Sequence, residues 1–239
     1  MTERRRLLQR VAARPDRHRR LHGLTLIEMM IGIAIGLLIA AAAGSFLAGN
    51  LRHNRSLLLE SRLMQDLRTA ADIITRDLRR AGYWASAFEG VSIGGIAAVA
   101  ANPYAAIAPS AAASDSASFS YSRDATENDH VDSQEQFGFR LKNGALEMQL
   151  GATNWQALTD AGTLVVTAFK VAPTVQTIDL GAACPSACPA GSTACPPRLS
   201  VRSYAIEISG RSVWDAAVVR TVRSSVRLRA DPVSGACAA

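Results

Sequence analysis

The residues best placed to do chemistry in this sequence are one carboxylate, four thiols and a run of acids. Glu28 interrupts HGLTLIEMMIGIAIGLLIAAAAG, residues 22–44, a stretch otherwise apolar enough to enter a membrane. A carboxylate there costs a few kcal/mol unless a cation meets it, so its chemistry would be charge pairing at the lip of an apolar helix. Cys184, Cys188, Cys195 and Cys237 all lie in the C-terminal third. Their even count, on one side of the apolar segment, points to two disulfides in an oxidising compartment, with three connectivities open. Zinc is the competing use of four thiols, but C-x3-C-x6-C departs from the paired C-x2-C spacing of structural zinc sites. Asp124, Glu127, Asp129, Asp132 and Glu135 offer the clustered oxygens that calcium prefers. The D-x-D-x-D-G spacing is absent, and the segment reads as a solvated acidic loop. Of the histidines His18, His22, His53 and His130, only His130 lies clear of the N-terminal segment and the apolar run, and no G-x-S-x-G nucleophile motif occurs. The chain reads as a non-enzyme, with no catalytic residue, metal or cofactor expected.

The elements that must position these groups begin with charge. The chain has 239 residues and a formal net charge of +6, long enough for one domain plus an extended element. Residues 1–23 hold eight arginines against Glu3 and Asp16, which accounts for the whole net charge. The remainder is formally neutral, so overall basicity gives no support to nucleic-acid binding. Met29–Leu51 then runs for 23 residues without Asp, Glu, Lys or Arg, longer than the ~20 needed to cross a bilayer as a helix. With arginines before it, the positive-inside rule keeps the N-terminus cytoplasmic and exports the C-terminal part. A cleaved secretory signal with its site near Ala40–Ala43 fits less well, because the apolar run continues through Phe46, Leu47 and Leu51.

Beyond the span, Leu63, Leu67, Ala70, Ala71, Ile74 and Leu78 recur at spacings of three and four, the pattern of an amphipathic helix. One helix is therefore expected from Leu24 to about Ala81, running ~87 Å at 1.5 Å per residue. Gly32 and Gly36 form a small-xxx-small pair for close helix contact, and Gly82 follows Arg79 and Arg80 as a left-handed cap. Residues 85–118, rich in Ala, Ser and Gly, read as a long loop. From Gln136 the pattern is of strands: 136–141 and 145–150 flank Asn143-Gly144, a strong hairpin signal. Further strands are expected at 163–171, 199–208 and 218–229, the last alternating Val222, Ser224, Val226, Leu228 with Arg223, Ser225, Arg227, Arg229. That cationic face suits a solvated strand better than a DNA contact. The fold class is α+β: a long N-terminal helix, membrane-spanning then amphipathic, on an antiparallel sheet. The divisions are a basic leader at 1–23, a membrane helix at 24–51, its amphipathic continuation at 52–84, a loop region at 85–135 and a β-sheet domain at 136–239.

Gly23-Leu24-Thr25-Leu26-Ile27-Glu28, after a basic leader and before an unbroken apolar helix, resembles the prepilin signature of type IV pilins and type II secretion pseudopilins. The resemblance implies a pilin-like fold and cleavage by prepilin peptidase after Gly23, with N-methylation of Leu24. The family usually has phenylalanine at the Leu24 position, and a leader of 23 residues is on the long side. It also implies that Glu28 meets the new amine of a neighbouring subunit and sets axial register. The helix ending RDLRRAGYW, with the order of the hairpin, TLVVTAFKV and a closing Ser-Gly-Arg turn, is similar to minor pilins of the PilW type. The implied partners are prepilin peptidase, other minor pilins and the major pilin, the inner-membrane assembly platform and the lipid bilayer, first in the inner membrane with the C-terminal domain periplasmic and then in the pilus. A minor pseudopilin of a type II secretion system shares every one of these motifs. A signal-anchored periplasmic binding domain that never polymerises is the rival from another class. Because glycine lets the peptidase approach the backbone closely, Gly23→Ala should sharply lower processing, read as accumulation of the longer precursor; normal maturation of that variant would count against cleavage there.

Overall fold

The computed structural model describes residues 23–90 and 100–238; residues 1–22 of the expected 1–23 leader, residues 91–99 of the expected loop and residue 239 lie outside the described residues. The chain divides into two units, Met1–Arg52 and His53–Ala239. A single α-helix, α1 (Leu26–Leu78), supplies both with backbone. In the first unit its described residues are exposed on every side, including Ile31, Ile35, Leu38 and Phe46. The helix is long and apolar enough there to cross a membrane, which removes the need for a protein partner on any one face.

In the second unit the helix turns one stripe inward, and Leu63, Leu67, Ala70, Ala71, Ile74, Thr75 and Leu78 are buried. The helix ends at Leu78, slightly short of the expected Ala81. Gly82 does adopt a left-handed φ of 79°, but its N–H donates to Ser120 O at 2.9 Å and not back into the helix. The residue that turns the chain also docks it to a strand.

Eight strands follow: β1 (Ser116–Ser120), β2 (Gln136–Lys142), β3 (Ala145–Leu150), β4 (Trp155–Ala157), β5 (Leu164–Asp179), β6 (Arg198–Ser212), β7 (Val219–Arg227) and β8 (Val233–Ser234). They form two antiparallel sheets, ordered β1-β2-β3-β4 and β5-β6-β7, with β8 on β6. The expected single sheet is thus two. Asn143 and Gly144 have φ of 51° and 77°, the double positive φ of a type I′ hairpin turn. Gly144 O accepts from Val166 N at 2.7 Å, and Ser114 exchanges backbone bonds with Val171 at 3.0 and 2.8 Å, which joins the two sheets. Both sheets and the helix stripe share one core, with Phe119, Phe137 and Phe139 from the first sheet and Val171, Ile206 and Ile208 from the second. Tyr121 stacks on Phe137 with ring centroids 4.1 Å apart.

Three expectations change. The 85–118 segment is not all loop, since β1 starts at Ser116 and buries Ala117 and Phe119 against β2. The strand expected at 163–171 continues to Asp179 despite Pro173. Val171 spends its backbone bonds on Ser114, away from β6, and Pro173 two residues on points the same way, where no ladder donor is required. Finally Ser209-Gly210-Arg211 is no turn but the last part of β6, still paired with both β5 and β7. A Cβ on Gly210 would sit 3.2 Å from Leu67 Cδ2 and 3.3 Å from Val165 O, so glycine there admits the helix to the sheet.

Leu67 is fully buried and faces Gly210. Leu67→Ala should destabilise the second unit by ~2–5 kcal/mol through lost burial and the cavity left behind, read as a lower denaturation midpoint; an unchanged midpoint would show that the stripe is not the core.

Candidate functional site

The first turn of α1 is built by Thr25 and Glu28. Thr25 precedes the helix, and Glu28 Oε2 accepts from its N–H at 2.9 Å and its Oγ1 at 2.8 Å. The Glu28 N–H in turn donates to Thr25 Oγ1 at 3.3 Å. This is a reciprocal capping box, in which side chains satisfy donors that a helix start leaves without partners, and it sets a negative charge at the positive end of the helix dipole. Only Oε2 is engaged, so Oε1 faces outward without a partner among the described residues. Leu24 and Gly23 precede the box and are exposed, and a Cβ on Gly23 would meet nothing within 4 Å. The Gly23–Leu24 bond is therefore open to approach, and the Glu28 carboxylate points at the Thr25 N–H, one residue beyond it. Thr25 carries this arrangement and is not among the site residues expected from the sequence; its signal is the pattern Thr-x-x-Glu, a capping box before an apolar run. Farther along, Gly32 and Gly36 also face open space, with nothing within 4 Å of an added Cβ.

The thiols pair as Cys184–Cys237 and Cys188–Cys195. The first joins the segment after β5 to the C-terminal tail; the second closes a short loop before β6. Ala236 N donating to Ala194 O at 2.8 Å and the pairing of β8 with Arg198 and Leu199 hold the same tail in place.

The acidic run is more structured than a solvated loop. Glu135 is fully buried and accepts from Arg123 N at 2.7 Å, Asp132 N at 3.0 Å and the Tyr104 hydroxyl at 3.0 Å. Glu127 accepts from Asp129 N at 2.9 Å and Ala85 N at 3.2 Å and lies 3.0 Å from the same hydroxyl. The Trp84 indole N–H donates to Asp129 at 2.7 Å. These groups clasp the chain beyond α1 to the loop before β2. Asp124, Asp132 and Glu135 bring carboxylate oxygens within 4.8 Å of one another, but Glu135 has its acceptors occupied by protein donors. Burial, and then the two neighbouring glutamates, push the Tyr104 hydroxyl well above its ordinary value. Burial also pushes Glu127 up, yet hydrogen bonds from Ser122, Asp129 N–H, Tyr104 and Ala85 N–H outweigh it and hold the carboxyl below the usual range.

The cationic strand is locally neutralised. Arg220 bonds Glu60 with Nε to Oε1 at 2.9 Å, Arg223 makes two bonds of 3.1 Å to Glu207, and Arg227 pairs with Asp231. Each of these three arginines draws on a carboxylate of its own unit, whereas Arg229 of the same face has no carboxylate partner among the described residues. His130 contributes its backbone oxygen to the Tyr104 hydroxyl.

Two family models match the chain: prepilin peptidase-dependent protein B over residues 56–228, and the prokaryotic N-terminal methylation motif over residues 18–44. The second match contains Gly23, Leu24, Thr25 and Glu28, and the first spans the amphipathic part of α1 and both sheets through Leu228. These are families of pilin-type structural proteins. No curated protein and no solved structure matches the chain.

The clasp has a pH dependence with a definite sign. A carboxyl held low in the folded state contributes stability that is fully present above the ordinary glutamate pKa of ~4.3 and is lost as pH falls through the depressed folded value. Asp77, pushed up by burial, acts in the opposite sense. In urea unfolding followed from neutral to acidic pH, Glu127→Gln should start less stable and lose less on acidification; an acid limb as steep as the parent's would show that Glu127 does not carry it.

Proposed function

The chain belongs to the prepilin peptidase-dependent protein B family, and from that premise we propose that it is a minor pilin: cut after Gly23 by prepilin peptidase, N-methylated at Leu24, held in the inner membrane by α1 and drawn from there into a type IV pilus. The observation that carries this reading is the Thr25–Glu28 box at the head of an all-round apolar helix. A membrane anchor needs no carboxylate five residues from the cut. A subunit that must dock beside others does, because the cut creates a cation at the lip of the apolar helix. The arginine leader supports a cytoplasmic N-terminus and the disulfides support an exported, oxidising location for the second unit. The open faces at Gly32 and Gly36 support close backbone contact with neighbouring helices. A minor role is favoured over the bulk subunit by the chain's length and by the helix ending RDLRRAGYW.

Glu28→Ala should leave cleavage largely intact while impairing incorporation, measured as the ratio of mature protein in sheared pili to that in membranes. Undiminished incorporation would contradict the charge-pairing role.

A further inference from the structure

The turn joining β6 to β7 exposes three apolar side chains, with Val213, Trp214 and Val219 at 43%, 50% and 45%. Exposure on a floppy loop would say little, but this turn is tied at nearly every step. Val213 N donates to Thr163 O at 3.3 Å, Trp214 N to Ser212 Oγ at 3.2 Å, and Ala217 N to Asp215 Oδ1 at 3.0 Å. Val218 N reaches Asp215 O at 3.1 Å, and Ser212 N reaches Val218 O at 3.0 Å. A large aromatic ring presented on a backbone already ordered loses little entropy on contact, which is the character of an anchor.

The other two tryptophans are committed within the protein. Trp84 is buried on Asp129, and the Arg140 guanidinium lies over the Trp155 ring at 3.8 Å. Trp214 has neither an acceptor for its indole N–H nor a cation over its ring among the described residues.

Its place in the unit narrows the partner. β7 runs alongside α1, with Arg220 near its start on Glu60 and Arg229 just past its end donating to Arg79 O at 3.3 Å. The Trp214 turn therefore lies at the end where the chain enters the unit at His53, two residues after the apolar run closes at Leu51. Leu57 and Leu58 are exposed on the same stretch of helix, as are the cations Arg55 and Arg62. Three apolar side chains fall far short of the roughly 800 Å² per partner that a stable protein interface buries. An exposed tryptophan at the end of the unit that also carries the exposed Arg55 and Arg62 suits the headgroup layer of a bilayer, where an amphipathic ring has both an apolar and a polar neighbour.

We propose that the Val213–Val219 turn is a second membrane contact, by which the globular unit rests Trp214 in the lipid headgroup layer while the protein waits in the membrane. It is separate from the span and does not depend on which filament the protein joins. Because α1 carries no tryptophan within the apolar run, the contact has its own optical signal. The full chain would be reconstituted in vesicles of phosphatidylethanolamine and phosphatidylglycerol, with or without lipids brominated high on the acyl chain. Bromolipid should quench part of the tryptophan emission, and that quenched part should vanish in Trp214→Phe while both disulfides and the unfolding midpoint are retained. Val213→Ser, which keeps the reporter, should reduce the quenching. No quenching of the parent protein, or equal quenching in Trp214→Phe, overturns the proposal. So does a Trp214 emission shift that appears only on adding a partner protein, which would assign the turn to a protein contact.

Discussion

One helix must satisfy two environments in a single sequence, and the remaining layout follows from that constraint. Up to Arg52, α1 is apolar on all sides and exposed, a composition that is stable in lipid and not in water. From His53 onward the same helix keeps only a stripe, Leu63 to Leu78. A stripe so narrow needs a partner surface of matching length, roughly 24 Å at 1.5 Å per residue, and the part of β5 from Leu164 to Val171, which buries Leu164, Val166, Phe169 and Val171, supplies it. Gly210 at the crossing is the local consequence: a Cβ there would press on Leu67 and on Val165 O, and one of them would have to give by a few tenths of an ångström.

At the other end of the helix, magnitudes decide what Glu28 is for. A capping interaction of the Thr25 kind is worth ~1 kcal/mol, whereas a carboxylate at the edge of a bilayer core costs a few kcal/mol. The capping box orients the carboxylate but does not compensate it. An amine ~4 Å away supplies roughly 4 kcal/mol at an effective dielectric of 20, which is the right size. The box leaves Oε1 open for such a cation, and in the proposed reading the cation arises only on cleavage after Gly23.

What the sequence made legible was what has a period or a fixed local grammar. The helix stripe emerged because its residues repeat every three or four positions, and the β2–β3 hairpin because Asn143-Gly144 tolerates positive φ at both places. The pieces that escaped depend on distant partners. Nothing near Pro173 announces that Ser114 takes the bonds of Val171, so the expected strand stops at 171. Tyr104 and Glu135 are 31 positions apart yet share a hydrogen bond, and neither has a local pattern to mark it as buried. Cysteine spacing left three connectivities open because Cys184 and Cys237, 53 residues apart, are brought together by β8 docking on β6. Thr25 is a different case: its signal was local and lay beside a more conspicuous one.

The central claim is that Glu28 is placed for a chain that begins at Leu24. Mass spectrometry of the N-terminal peptide of the membrane-bound protein tests it most directly. The account predicts a mature N-terminus at singly methylated Leu24; an intact arginine leader, or a start near Ser45, would contradict it.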